Sequence, residues 1–234
     1  MINVARKSIS EYISFLKRGV AFSLTRYWDG EMHAIVGRTG KNVDSCEYTS
    51  ELGDALRKTI TNNKDYYHCL YYPMDHRCTR MLRRSFLEYL IEAHSKVLWY
   101  DAMVFQNSFT QGNFYLMVQA LKDRNTIMVG GEHLRPLVDK FNVMKYFIDI
   151  PARNAFEQRN GIEERVKTIA GQYHDPVFVF CAGMASNVFI DDLFGIEATM
   201  IDMGSVWDAC LQLSTRQWMR KVPEHVVRRN LYGK

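Results

Sequence analysis

The sequence lacks the patterns that would place it in several common classes. No run of about 18 apolar residues occurs, so nothing reads as a membrane span. The opening stretch, "MINVARKSISEYISFLKRG", breaks its apolar positions with charges and has no continuous signal-peptide core. Cysteine is sparse: Cys46, Cys69, Cys78, Cys181 and Cys210 are widely spaced, with no CxxC pair. That argues against a disulfide framework or a thiolate zinc site and reads as reduced thiols in a cytoplasmic protein. The seven histidines show no HxH or HxxxH spacing, so a histidine metal centre is disfavoured. GxSxG, GxGxxG and GK[ST] are all missing, which removes the serine-hydrolase, dinucleotide and P-loop signatures. Five prolines in 234 residues mark no linker, and no internal repeat appears.

What is present is core-forming material: 47% hydrophobic residues, 13% of the chain aromatic. A chain this rich in apolar groups can bury a substantial core, which excludes disorder. Charge is uneven. From Arg216 to Lys234 six Lys/Arg face Glu224 alone, a net +5, while the 215 residues before them stand at −1. This divides the chain into one α/β domain over 1–215 and a basic C-terminal tail over 216–234. Such a tail can touch phosphate, nucleic acid or an anionic surface, or be a solvated helix end.

Apolar spacing alternates between helix and strand periods along the chain. Helices are expected over 5–18, 48–62, 78–94, 114–123, 132–141, 160–172 and 185–194; Pro136 must lie near the first turn of its helix or kink it. Strands are expected over 20–25, 67–72, 96–105, 126–131, 143–150, 176–183 and 197–204. The alternation implies βαβ units: an α/β, Rossmann-like, mostly parallel sheet with helices on both faces. Ligands of such sheets bind beyond the carboxyl ends of strands, near a switch in strand order, so chemistry is sought at the strand exits.

Three exits stand out. The first, "TRYWDGE", holds Arg26, Asp29 and Glu31. Two carboxylates on one turn can share a hard cation, and the arginine can hold a phosphate. Alternatively Asp29 caps a helix running from Gly30 to about Val36. The second, "FVFCAGMASN", turns at Gly183 into a helix beginning near Ala185 or Ser186. Its free amides suit a phosphate, although a strand-to-helix turn needs a glycine anyway. The third, "IDMGSVWD", places Asp202, Ser205 and Asp208 around a glycine. Ser205 and Asp208 also fit the N-cap and third position of an acidic capping box. Asp101, with Gln106 and Asn107 after it, lies where an acceptor would be met. His133 and Arg135 in "GGEHLRPL" reach a ligand or simply open a helix.

Taken together the exits resemble bacterial glycosyltransferases of the GT-D fold. That family opens with a helix and then a strand ending like F-S-L-x-R-[FY]-G-D-G-E, matched by Phe22 to Glu31 with Trp28 in place of a small residue. "VFCAGMASNVFIDDLF" and "IDMGSVWD" follow in the family's order, and "IPARNAFE" resembles the segment between. Departures are Met184 and Asn187, where proline and lysine are common, and Ser205, where histidine is. The resemblance implies a metal-dependent transfer of a sugar from a nucleotide-diphosphate sugar, a UDP-sugar foremost, to an acceptor hydroxyl. Asp29 and Glu31 would hold Mn²⁺ or Mg²⁺, while Arg26, Gly183, Ser186, Asp202 and Ser205 would bind the nucleotide. Asp208 or Asp101 would act as general base. The acceptor implied is a surface glycan or glycoprotein. With Trp218 and Tyr232 among its cations, the basic tail admits a hydroxylated base in DNA as an alternative. A nucleotide-binding module without turnover is the reading from another class.

Overall fold

A computed structural model describes residues 3–62, 64–71 and 77–233, the side chains of 77–79 excepted. Eight strands form one sheet: β1 (Val4–Ala5), β2 (Ser23–Tyr27), β3 (Tyr67–Leu70), β4 (Trp99–Asp101), β5 (Asn125–Gly130), β6 (Tyr146–Asp149), β7 (Pro176–Cys181) and β8 (Thr199–Asp202). Their order is β1-β4-β3-β2-β8-β7-β5-β6, and all of these pairings are parallel. From the central β2 the chain first moves outward through β3 to β4. It then crosses to β5 at the far side and returns through β7 to β8, which pairs with β2. Strand order therefore reverses at β2 and β8, where a parallel sheet opens a crevice beyond its strand ends.

The helices are α1 (Ile9–Arg18), α2 (Asp29–Ile35), α3 (Ser50–Thr59), α4 (Arg77–Glu92), α5 (Val104–Thr110), α6 (Tyr115–Lys122), α7 (Pro136–Asp139), α8 (Arg159–Ala170), α9 (Ala185–Asp192), α10 (Val206–Cys210) and α11 (Glu224–Tyr232). Strand side chains alternate between the sheet's two faces, so each apolar run feeds two cores. Met128, Val177, Val179 and Ile201 pack with α1, α5, α6, α10 and α11. Ile127, Val129, Phe178, Phe180 and Met200 pack with α8 and α9, while Tyr27, Leu70 and Trp99 pack with α2, α3 and α4. Helices on both faces thus match the expectation.

Several boundaries differ, each for a local reason. The first helix begins at Ile9 rather than residue 5, because Ser8 caps it. The Ser8 N–H donates to Glu11 Oε2 at 2.8 Å, and the preceding Val4–Ala5 pairs with Trp99–Tyr100 as an edge strand. The expected strand over 96–105 ends at Asp101, whose Oδ1 accepts the Met103 N–H at 2.9 Å and turns the chain into α5. The expected helix over 132–141 divides into a 3₁₀ turn at Glu132–Leu134 and α7, with Pro136 at the first helical position, where no N–H is needed. The strand expected over 67–72 runs to Leu70; residue 72 and the side chain of Cys78 lie outside what the structure describes.

The segment from Arg216 onward, expected as a tail, is folded onto the domain. Val227 and Leu231 of α11 join the core, and Trp218 packs edge-on against Phe109. The buried Asn230 amide accepts the Phe114 N–H at 3.0 Å and donates to the Phe109 carbonyl at 2.8 Å. Among the described residues no helix is long and apolar enough to cross a membrane, and the four described cysteines are unpaired.

Candidate functional site

The exits of β2, β7 and β8 open into one cleft of about 690 Å³ at the carboxyl edge of the sheet. That is the size of a small-molecule site. Arg26, Asp29, Glu31, Gly183, Asp202, Ser205 and Asp208 all line it. Ser186 and Asp101 do not. Ser186 is fully buried, and its Oγ accepts the Ala182 N–H at 3.0 Å, which closes the turn around Gly183. Asp101 is engaged with Met103, as above.

The last strand residues carry the electrostatics. Arg26 Nε donates to Asp202 Oδ2 at 3.3 Å, and both side chains are under one-tenth exposed. Asp202 Oδ1 also accepts the Gly204 N–H at 3.0 Å. Burial raises the Asp202 carboxyl above its usual range, outweighing the Arg26 guanidinium and the Gly204 amide, which lower it. Asn187 fixes the Arg26 backbone from α9: its Oδ1 accepts the Arg26 N–H at 3.1 Å and its Nδ2 donates to the Arg26 carbonyl at 2.8 Å. A buried amide thus stands where the resembling family commonly has lysine, locking β2 to α9.

After β2 the chain enters α2 directly. Asp29 is the first helical residue rather than the cap, and it is exposed. Glu31 is buried and its Oε2 takes the Trp28 N–H at 2.9 Å, the returning half of a capping box. Burial pushes the Glu31 carboxyl up to about 7; hydrogen bonds from backbone amides lower it, and the charges of Asp202 and Asp29 raise it further. The Trp28 ring stacks on Tyr71 at 4.2 Å, 13° between planes, and so forms a flat aromatic wall of the cleft.

After β8, Asp208 sits at the third position of α10, where a capping box would have it return to Ser205. It points elsewhere. Its Oδ2 accepts the Thr215 hydroxyl at 2.6 Å, and its Oδ1 lies 3.3 Å from His133 Nε2. Three lining elements carried no site residue in the sequence reading. The loop over 42–46 is folded by Asn42 Oδ1, which accepts the Asp44 and Cys46 N–H groups at 2.9 Å each. It is tied to the "IPARNAFE" segment by Asn154, which accepts the Glu47 N–H at 3.0 Å. Arg216 Nη2 clasps both Asp44 oxygens at 2.7 Å across 172 positions of sequence. The short Asn-x-Asp turn was the only local signal of that loop.

A parallel sheet with helices on both faces and a polar cleft at its strand-order reversal defines a Rossmann-like α/β protein whose cleft has the size of a small-molecule site. Its particular form is that of a distinct glycosyltransferase fold. The chain superimposes on a solved glycosyltransferase of the domain of unknown function 1792 from Streptococcus sanguinis, with a TM-score of 0.65 at 18% identity over 98% of this chain and 94% of that one. It matches equally a solved domain of unknown function 1792 described as having a distinct glycosyltransferase fold, TM-score 0.65, 17% identity, over 87% of this chain and 79% of that one. At such identities the likeness is one of fold. No protein-family model matches the chain, and no curated protein matches its sequence.

Proposed function

We propose that this protein is a metal-dependent glycosyltransferase that moves a sugar from a nucleotide-diphosphate sugar, foremost a UDP-sugar, to a hydroxyl of a glycan or glycoprotein. One observation carries the reading: the acid pair Asp29/Glu31, the cation Arg26 and the Gly183 turn at the head of α9 meet in a single cleft. Their fold is the one shared with the glycosyltransferase structures above.

The donor set suits a hard divalent cation. Glu31 is held up partly by the charges of Asp29 and Asp202, a repulsion that a cation relieves. Among the described residues no group of three His, Cys, Asp or Glu could hold a metal by itself. Two carboxylates with diphosphate oxygens and water completing the shell is the usual arrangement for Mg²⁺ or Mn²⁺. Bound there, the ion would neutralise charge on the leaving diphosphate.

Arg26 adds fixed positive charge at the same place. Its Nε is committed to Asp202, so the side chain is pre-positioned and costs no reorganisation as charge develops. Gly183 makes the turn possible: its φ is +58° and a Cβ there would meet nothing within 4 Å, so backbone conformation is what requires glycine. The turn sets the first amides of α9 towards the cleft end of the sheet, as a phosphate requires. Trp28, wider than the small residue of the resembling family, offers its ring as a face for a sugar. The basic segment is no free arm for a DNA acceptor: it is folded onto the domain with Arg216 paired to Asp44, while Arg220, Lys221, Arg228 and Arg229 face solvent.

The test is a thermal-shift and turnover pair. UDP raises the melting temperature only with Mn²⁺ or Mg²⁺ present, and Glu31→Gln lowers UDP release from the donor by at least about 100-fold while the protein still folds. Full activity in Glu31→Gln removes the metal assignment. Binding of UDP with no release from any nucleotide sugar leaves a non-catalytic binding module instead.

A further inference from the structure

We propose that His133 is the general base that takes the acceptor's proton, with Asp208 as its positioning residue; this rests on the glycosyltransferase reading above. Asp208, the carboxylate that sequence position favours for the role, is only 7% exposed, and each of its oxygens already has a protein partner. A carboxylate tied at both oxygens is a poor receiver for a substrate proton. Asp202 is likewise committed, to Arg26 and Gly204.

His133 is placed differently. It stands on the 3₁₀ turn after β5, lines the same cleft, and its side chain is 49% exposed. Nε2 faces Asp208 Oδ1, so a neutral ring donates its Nε2–H to the carboxylate and keeps the lone pair on Nδ1. Nδ1 itself has no hydrogen-bond partner among the described residues. The Nδ1 and Cε1 edge of the ring rests beside Gly131, where a Cβ would stand 3.0 Å from Nδ1, so glycine there permits this ring orientation. The Thr215 hydroxyl fixes the far oxygen of Asp208, so carboxylate and ring are held in one orientation. The result is a base oriented by a buried acid that is itself oriented by a third group.

Charge around the ring favours proton capture. The hydrogen bond to Asp208 raises the imidazole above its usual value, against the lowering effect of burial, and the charges of Asp208 and Asp44 add to the rise. Arg216, the cation nearest by sequence to Thr215, is paired with Asp44, and Glu132 with Arg135 forms its own pair on the same turn.

The step balances without a further reactant. The acceptor oxygen forms its bond to the anomeric carbon while the bond from that carbon to the diphosphate oxygen breaks, its electron pair leaving with the diphosphate. The acceptor proton moves to His133 Nδ1, giving an imidazolium beside the Asp208 carboxylate, and passes to water afterwards. In this single displacement the base serves attack on the face opposite the leaving group, which inverts the anomeric carbon.

The experiment uses the full chain with Mn²⁺, a panel of nucleotide-diphosphate sugars as donors and water as the acceptor, reading nucleoside diphosphate release. His133→Gln is expected to lower kcat by about 10²- to 10⁴-fold while calorimetric binding of UDP with Mn²⁺ is unchanged, which also shows that the variant is folded. With Mn²⁺ saturating, so that Glu31 stays ionised, the wild-type rate rises with pH as a single base deprotonates. Asp208→Asn moves that limb to lower pH and lowers its plateau, a shift that a purely structural role would not produce. Early product followed by NMR carries the inverted anomeric configuration. Wild-type kcat in His133→Gln, or retained configuration, overturns the base assignment and leaves the glycosyltransferase reading standing. No release from any donor by the wild type overturns both.

Discussion

At Gly204 a methyl group would collide with the Arg26 guanidinium, and the backbone already has a φ of +49°. The arginine of the first exit and the glycine of the third are therefore one feature. The guanidinium rests against the place where a side chain would be, and Asp202 clamps it there. Gly204→Ala is expected to destabilise the protein by about 1–3 kcal/mol from the left-handed backbone alone, and to displace Arg26 from the cleft. Urea denaturation reads the first effect and UDP affinity the second; a variant with wild-type values of both removes the coupling. Asn187 is the complementary case. Sequence comparison marked it only as a departure, because nothing local shows that a buried amide will meet the backbone of a strand 161 positions away.

At the level of elements, β3 carries an unexpected charge-sensitive group. His68 lies in the strand centre, stacked at 4.1 Å on Tyr66 and edge-on to Trp99. Burial lowers its imidazole from 6.5 to about 4, against the opposing effects of the Lys64 backbone carbonyl and the Asp191 charge. Because the folded form resists protonation, the unfolded chain binds more protons between these values. Stability is therefore unaffected by this group above about pH 6.5 and falls as the pH drops towards 4, by on the order of 3 kcal/mol at about 1.4 kcal/mol per unit. His68→Phe should flatten the urea midpoint against pH across that window; an unchanged slope would assign acid sensitivity elsewhere. Element types were legible where periodicity was long, as in α1, α3 and α8. Element ends were not, because Ser8, Asp101 and Pro136 set them through single hydrogen bonds or their absence.

At the scale of the molecule, the charge profile suggested a boundary at residue 215 that packing does not observe. Charge reports what faces solvent, whereas α11 shows solvent its cations and turns Val227, Asn230 and Leu231 inward. A chain ending at residue 215 is expected to lose about 3–6 kcal/mol from the two aliphatic side chains alone, with the Asn230 bonds lost besides. Size-exclusion and urea unfolding of the truncated chain check this; wild-type stability would show the segment to be an appendage after all.

By itself the sequence determined the α/β class, the helices on both faces and the three strand exits that carry the polar motifs. These follow from short-range rules: apolar period, turn residues and the tendency of a parallel sheet to bind ligands at its strand ends. Only the tertiary structure decided how those exits are wired. It joined Arg26 to Asp202 and Gly204, turned Asp208 away from its own helix cap to His133 and Thr215, and brought Arg216 across to Asp44. Each of these pairs spans a chain crossover, apart from Asp208 with Thr215, and the partner of a buried polar group is fixed by which strands become neighbours, a choice that no local window contains.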